Sequence, residues 1–339
     1  MRTVPHPNCP NCEAEGAEVY TELRDKLYGA PGIWRMKRCD NRRCGVYWSD
    51  PAPHPDDLAI AYSGYYTHAQ GEEERRQSDF RVAVRNAYAG RRLGYPNSEK
   101  WLPRQVSRLV PLLPRQSQSG LYSRFYLPWV RDGRLLEIGC GSGAQLEGMA
   151  RAGWDARGID FDPQAAAAAR ARGLDIMVGD VRELELPEAS FDAIVMAHVL
   201  EHVFDPIGFL AECGRLLKPG GRLVSITPNA DSLGHRIFRR AWRGLEPPRH
   251  IVVYTPDGLR VACARAGLSI ERLQVTARDA ANLLLASARI RKSGIDAQIR
   301  RPQAGIRPPF SLRALAGVER LGNFFGRGWG EELVLIARK

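Results

Sequence analysis

Apolar residues gather into short runs along the second half of the chain, separated by glycine, proline and charged turns. Leu135–Ile138 is one such run, and Gly139, Gly141 and Gly143 follow it at every second position. An apolar-rich run closed by glycines predicts a buried strand and a tight turn, with a helix beginning near Ala144. The alternation then repeats. A second strand ends at Asp160, and a helix over Gln164–Arg172 is opened by Asp162 as N-cap and Pro163 at its first position. Gly173 stops it. Further strands are predicted over Asp175–Val178, Phe191–Ala197 and Arg222–Thr227. Strands alternating with helices predict an α/β fold. Two later strands, Leu268–Val275 and Glu331–Ala337, stand far apart. Residues 276–330 intervene, many more than a hairpin loop needs. They hold two apolar helices, Ala280–Ile290 and Leu312–Phe325, and read as a lid or acceptor-binding cap.

The first third of the chain follows another pattern. Short strand-like pieces, Glu18–Leu23 and Ile33–Arg38, lie between two cysteine pairs, Cys9–Cys12 and Cys39–Cys44. Four thiolates suit a closed tetrahedral zinc site, hence a structural one. So small a module has too little core to fold without a staple. The second pair has a four-residue spacer, and His6 or His54 is an alternative ligand. The proline-rich Asp50–Pro55 is a stiff linker. Helices are predicted over Asp56–Arg92, Glu99–Leu113 and Leu121–Val130, with a turn at Pro114–Gly120. The expected organisation is therefore a module over 1–52, helical segments over 53–130 and the α/β domain over 131–339, with its insertion at 276–330.

The glycine turn carries chemistry. Glycines let a backbone approach a ligand without side-chain collision. Glu137 places a carboxylate at the strand end, which favours a ligand end that carries positive charge. The ordered motifs EIGCGSG, GID, GD, FDAIVMAHVLEHV and LLKPGGRLV occur between Glu137 and Val224. On these motifs, residues 131–275 resemble the class I S-adenosylmethionine-dependent methyltransferases, in the branch of the ubiquinone and menaquinone methyltransferases. The resemblance implies a Rossmann-like, seven-stranded sheet with helices on both faces. It implies S-adenosylmethionine as cofactor, with Glu137 at the amino-acid end and Gly139, Cys140, Gly141 and Gly143 beneath the ligand. Asp160 is expected to accept hydrogen bonds from both ribose hydroxyls, and Asp180 to take the adenine amine. Phe161 and Val181 are expected to wall the adenine, and Ala197 and His198 to make backbone contacts to the methionine amine. A helix carrying Tyr62, Tyr65 and Tyr66 is expected to close over the cofactor.

Methyl transfer from a sulfonium is an in-line displacement, so orientation supplies much of the rate. A hydroxyl acceptor also needs a base, and His250 is the candidate, with Tyr254 and Asn229 as neighbours. The sequence shows no metal-ligand spacing near that site, and transfer without a metal is expected. Cys140, Cys213 and Cys263 read as small buried residues.

Charge narrows the acceptor. The chain has 339 residues, 49 basic against 38 acidic, and a net charge of +11. Such an excess fits an anionic partner: a nucleotide sugar, a lipid phosphate, a membrane surface or RNA. Arg236, Arg239, Arg240, Arg243 and Arg249 form one basic segment, with the first four expected on one helix face. Arg291, Lys292, Arg300, Arg301 and Arg307 lie in a second. The favoured acceptor is a phosphate-bearing small molecule, a sugar nucleotide or a lipid-linked glycan of surface-polysaccharide or natural-product synthesis. The alternative is a ribosomal RNA base, against which aromatic residues fail to interleave with the basic runs. Seven cysteines argue for thiols or metal ligands rather than a disulfide scaffold. With no apolar core for a signal peptide at Met1–Pro7, the chain is expected in the cytoplasm, at the inner membrane face if its acceptor is lipid-linked.

Overall fold

The structure, a computed structural model, describes residues 1–62, 79–96, 100–292 and 307–339. It begins with strands β1 (Thr3–Val4), β2 (Gly16–Leu23), β3 (Trp34–Cys39), β4 (Tyr47–Ser49) and β5 (Ala52–Pro53), then helix α1 (Leu58–Tyr62). Strand β3 buries Trp34 and Met36 on one face, the period of two that a half-buried strand requires, and also buries Cys39 at its end. Trp48 of β4 is fully buried, and its indole N–H donates to the carbonyl of His6 at 2.7 Å.

Helices α2 (Asp79–Leu93), α3 (Trp101–Val106) and α4 (Pro114–Tyr122) come next. The single helix expected over Asp56–Arg92 is met only at its two ends, and residues 63–78 lie outside the described residues. Tyr65 and Tyr66 are among them. The expected turn at Pro114–Gly120 is instead helix α4, because Pro114 sits at its first position, where a missing N–H costs nothing. The helix expected over Leu121–Val130 is absent: Phe125 and Tyr126 have φ of +50° and +55°, which no helix continues through.

The α/β part contains β6 (Arg134–Ile138), α5 (Ala144–Ala150), β7 (Asp155–Asp160), α6 (Pro163–Arg170), β8 (Asp175–Val178), β9 (Phe191–Ala197) and α7 (Pro206–Leu216). It continues with β10 (Leu217–Pro228), α8 (Leu233–Phe238), β11 (Val252–Val253), α9 (Pro256–Arg265) and β12 (Ser269–Thr276). Helices α10 (Ala280–Lys292) and α11 (Phe310–Phe324) and strand β13 (Glu332–Arg338) complete the elements. Asp162 caps α6 as expected, its carboxylate accepting from Gln164 N at 2.8 Å. The seven-stranded sheet has the order β12-β13-β10-β9-β6-β7-β8, and β6 runs parallel to both β7 and β9. The chain therefore leaves β6 at the point where strand order reverses, the position at which open α/β sheets bind ligands. Leu135 and Leu136 of β6 are fully buried.

A second, four-stranded antiparallel sheet has the order β11-β4-β3-β2. Its edge strand comes from far along the chain, with Val252 opposite Trp48 and Val253 opposite Tyr47. Two residues of β-branched sequence gave no sign of this. The molecule divides into two compact units. One comprises Met1–Tyr66, His198–Ala211 and Ser225–Leu335; the other comprises Thr67–Ala197, Glu212–Val224 and Ile336–Lys339.

Candidate active site

The glycine turn after β6 is built to leave room. Gly139, Gly141 and Gly143 all have positive φ, and a Cβ added at Gly141 would meet nothing within 4 Å. At Gly143 the same atom would lie 2.3 Å from Leu174 Cδ1, so that glycine serves the packing of α5. Asp160, at the end of β7, is buried and accepts the Gly141 amide at 2.7 Å and the Asp162 amide at 2.9 Å. An ionised carboxylate at this strand end is a strong acceptor.

Glu137 is 4% exposed, and its Oε2 has no hydrogen-bond partner. Burial, then the nearby charge of Asp160, pushes its pKa well above the ordinary carboxylate range. A buried acceptor without a partner is costly unless something supplies a donor or a positive charge. The ammonium and sulfonium of S-adenosylmethionine are of that kind, and these residues fit that cofactor. Phe161 is 56% exposed and offers a ring face. Val181, expected as the opposite wall, is 1% exposed, so its side chain packs inward and the expectation is corrected. Asp180 is held by Arg182, whose Nη2 lies 2.6 Å from Oδ2 and whose amide donates to Oδ1 at 2.9 Å. An adenine amine there must share the carboxylate with that guanidinium. Ala197 ends β9. Cys140, Cys213 and Cys263 are buried, and burial raises each thiol's pKa, that of Cys263 to about 12, as inert packing residues require.

The residues after β9 and β10 form a separate cluster. His198 has φ +57° and sets its Nδ1 3.2 Å from Glu201 Oε1 and its Nε2 3.2 Å from Glu332 Oε1. Burial alone would lower its pKa, yet the two carboxylates outweigh this and raise it to about 10. Glu201 is fully buried and accepts from Thr227 Oγ1 at 2.9 Å. Its burial is overcome by His198, and its pKa is held at about 2.

His202 Nδ1 lies 2.9 Å from the Arg249 carbonyl, and His250 Nδ1 lies 2.7 Å from the Gly244 carbonyl. A carbonyl only accepts, so each imidazole carries a proton on Nδ1. Ligand atoms of Glu201, His202 and His250 lie within 4.8 Å of one another. Burial lowers the His250 pKa to about 4, so it is neutral at pH 7. Transfer without a metal was expected, although His198 and His202 stand four residues apart in the sequence. The fold instead assembles a donor set that fits a divalent cation, with both histidines oriented by backbone carbonyls. His202 and His250 are too far apart in sequence for any spacing rule to pair them.

A family model for the methyltransferase domain matches residues 99–273. The chain belongs to this family. A ubiquinone biosynthesis O-methyltransferase of Xanthomonas oryzae pv. oryzae is 42% identical over 103 residues, covering 28% of this chain and 43% of the relative. A protein of the same name from Cereibacter sphaeroides is 38% identical over 147 residues, covering 40% of this chain and 60% of the relative. The matched stretches thus span less than two thirds of these relatives. Among solved structures, an S-adenosylmethionine dependent methyltransferase from Mesorhizobium loti aligns with a TM-score of 0.46 at 20% identity, over 66% of this chain and 98% of that one.

Tyr254 is corrected as a catalytic candidate. It is fully buried, its hydroxyl has no partner, and burial holds the phenol pKa far above its ordinary value. A phenol that holds its proton so firmly cannot serve as the base. Asn229 is also a structural residue, its amide donating to the carbonyls of Gly328 and Gly330 at 3.1 and 2.7 Å.

The four cysteines of the N-terminal module come together, with Cys9 Sγ 3.9 Å from Cys44 Sγ and Cys12 Sγ 3.4 Å from Cys39 Sγ. Tetrahedral zinc with bonds of ~2.3 Å sets sulfurs ~3.8 Å apart, so the set fits that ion. The longer spacer is absorbed by a turn in which the amides of Cys44 and Gly45 donate to the Asn41 carbonyl.

The basic segment is not one helix face. Helix α8 ends at Phe238, and Arg239 turns away at φ +48°. Arg236, Arg239 and Arg240 are exposed, as are Arg291, Lys292 and Arg307, while Arg300 and Arg301 lie outside the described residues. Arg249 is corrected as an acceptor-binding residue. It is fully buried, bonded through Nη1 and Nη2 to Asp25 at 2.7 and 2.9 Å and through Nε to Glu246 at 2.9 Å. Arg243 pairs with the same Glu246. Asp25, which no local signal marked, thereby anchors the loop that carries His250.

Proposed function

We propose that the protein is an S-adenosylmethionine-dependent O-methyltransferase of a small, anionic acceptor. One observation carries the choice of oxygen: ligand atoms of a buried carboxylate and two imidazoles, Glu201, His202 and His250, lie within 4.8 Å of one another. A hydroxyl is a poor methyl acceptor until it loses its proton, whereas many carbon and nitrogen acceptors need no such help. A divalent cation held by these three residues would supply a Lewis acid that makes a bound hydroxyl more acidic. The chain's own contribution is to keep His250 neutral by burial, fix both tautomers through the Gly244 and Arg249 carbonyls, and hold Glu201 ionised through His198. The relatives named as O-methyltransferases support the same atom.

The orphaned carboxylate of Glu137 and the buried carboxylate of Asp160 beside the glycine turn support the cofactor. The four thiolates support a structural zinc. Exposed Arg236, Arg239 and Arg240 favour a phosphate on the acceptor, as in a sugar nucleotide or a lipid-linked glycan.

Labelled methyl transfer from the cofactor tests the reading. Sugar nucleotides, polyprenyl-phosphate sugars and ribosomal RNA are offered in parallel. Incorporation into either of the first two is expected, and the label is expected as an O-methyl group. His250→Ala should leave cofactor affinity unchanged and lower turnover by roughly 10²–10⁴-fold. Wild-type turnover in that variant would end the assignment of oxygen, and incorporation into RNA alone would replace the acceptor class.

A further inference from the structure

Helix α11 is built the wrong way round for a helix that belongs wholly to its own domain. Its inward face carries Ala316, Glu319 and Gly322, all buried. A Cβ at Gly322 would lie 2.2 Å from the Trp329 ring, so this face is small because the body presses against it. Its bulky residues point the other way. Phe310 is 80% exposed, Val318 46%, Leu321 58% and Phe324 82%, and Phe325, just past the helix, is 68% exposed. At ~100° per residue these five side chains fall within a sector of about 120°. Water-soluble surfaces scatter single apolar residues, but a contiguous stripe of this kind marks a contact surface.

Charge indicates what the stripe meets. Arg313 projects beside the stripe, and Arg307 and Arg327 flank the helix; all three are exposed. The only acidic residue of the helix is Glu319, and it is buried on the opposite side. A helix face with aromatic and aliphatic centre, flanking arginines and no exposed acid of its own complements an anionic lipid surface. A protein partner would more often be met by rim charges of both signs. No helix among the described residues is long and apolar enough to cross a membrane. We propose that α11 lies in the interface of an anionic bilayer, with Phe310, Leu321, Phe324 and Phe325 inserted among the acyl chains and Arg313 and Arg327 at the headgroups. This goes beyond the proposed reaction and holds whether or not the acceptor is lipid-linked.

Full-length protein is sedimented with vesicles of phosphatidylcholine alone and with vesicles containing ~30% phosphatidylglycerol, the anionic fraction setting the surface potential. Partitioning should be at least about tenfold stronger on the anionic vesicles, reflecting several basic residues near the surface. Phe324→Ser/Phe325→Ser should abolish it with an unchanged melting temperature, since both rings already face water. Arg313→Gln/Arg327→Gln should weaken it at low salt and matter less at high salt. Equal partitioning of the Phe variant and the wild type would overturn the proposal. So would absence of partitioning, or a lipid-free dimer that the Phe variant dissolves, which would make a second copy the occupant. Cofactor binding measured on the same samples keeps failure here distinct from failure of the methyl-transfer reading.

Discussion

At the residue scale, Asp160 has two tasks that can be separated by measurement. Its oxygens hold the glycine turn through the Gly141 and Asp162 amides, and in the proposed reading they also accept from the cofactor diol. Asp160→Ala should weaken cofactor binding by at least about tenfold, because bonds to a charged acceptor are worth ~1.5–3 kcal/mol each. Calorimetry giving wild-type affinity would remove Asp160 from the site. His235 offers a pH test. It is 4% exposed, stacks on Trp242 with ring centroids 4.6 Å apart, and donates Nδ1–H to the Ala230 carbonyl. Burial dominates and lowers its pKa to about 4 from 6.5. The unfolded chain therefore takes up the proton first as pH falls. His235 imposes no penalty above pH ~6.5, and stability drops between there and pH ~4 by roughly 3 kcal/mol from this group. Urea midpoints of wild type and His235→Gln should converge as pH falls from 7.5 to 4.5; parallel curves would show that His235 does not titrate differently on folding.

At the scale of elements, the small antiparallel sheet and the His250 loop are one construction. Strand β11 lies two residues beyond His250 and pairs with β4, while Asp25 grips Arg249 from the turn after β2. Breaking a buried pair leaves an uncompensated charge, so Asp25→Asn should cost about 3–5 kcal/mol, read as a lower melting temperature. Arg249→Lys should not escape the loss, because an ammonium cannot bridge Asp25 and Glu246 as the planar fork does. A melting temperature unchanged in both variants would show that the loop is held by β11 alone. The four thiolates predict about one zinc per chain by elemental analysis. Less than half an equivalent, on protein never exposed to chelator, would refute a zinc site there.

At the scale of the whole molecule, a net charge of +11 should act through rates and affinities rather than through the fold. Raising ionic strength from ~0.05 to ~0.5 M is expected to raise the acceptor KM and leave kcat nearly unchanged, since exposed charges are screened beyond the Debye length. A KM that ignores salt would count against an anionic acceptor. The sequence by itself determined the strand-and-helix alternation from Leu135 to Thr227, the glycine turn, the Asp162 cap and the four-cysteine set. Apart from the cysteine set, whose pairs close over 27 and 35 residues, these depend on contacts between near neighbours: alternation along a strand, a positive φ, a side chain reaching its own helix end. Before Leu135 the local reading failed: Pro114 turned an expected loop into α4, and Tyr126 ended a helix that composition favoured. Tertiary structure alone decided the rest. It brought His250 to His202 and Glu201, buried Tyr254 and Arg249 away from any acceptor, joined Asp25 to a loop more than two hundred residues on, and turned the bulky face of α11 outward. Each of these is a contact of high sequence separation, fixed by how sheets and helices pack, and no local pattern of residues encodes it.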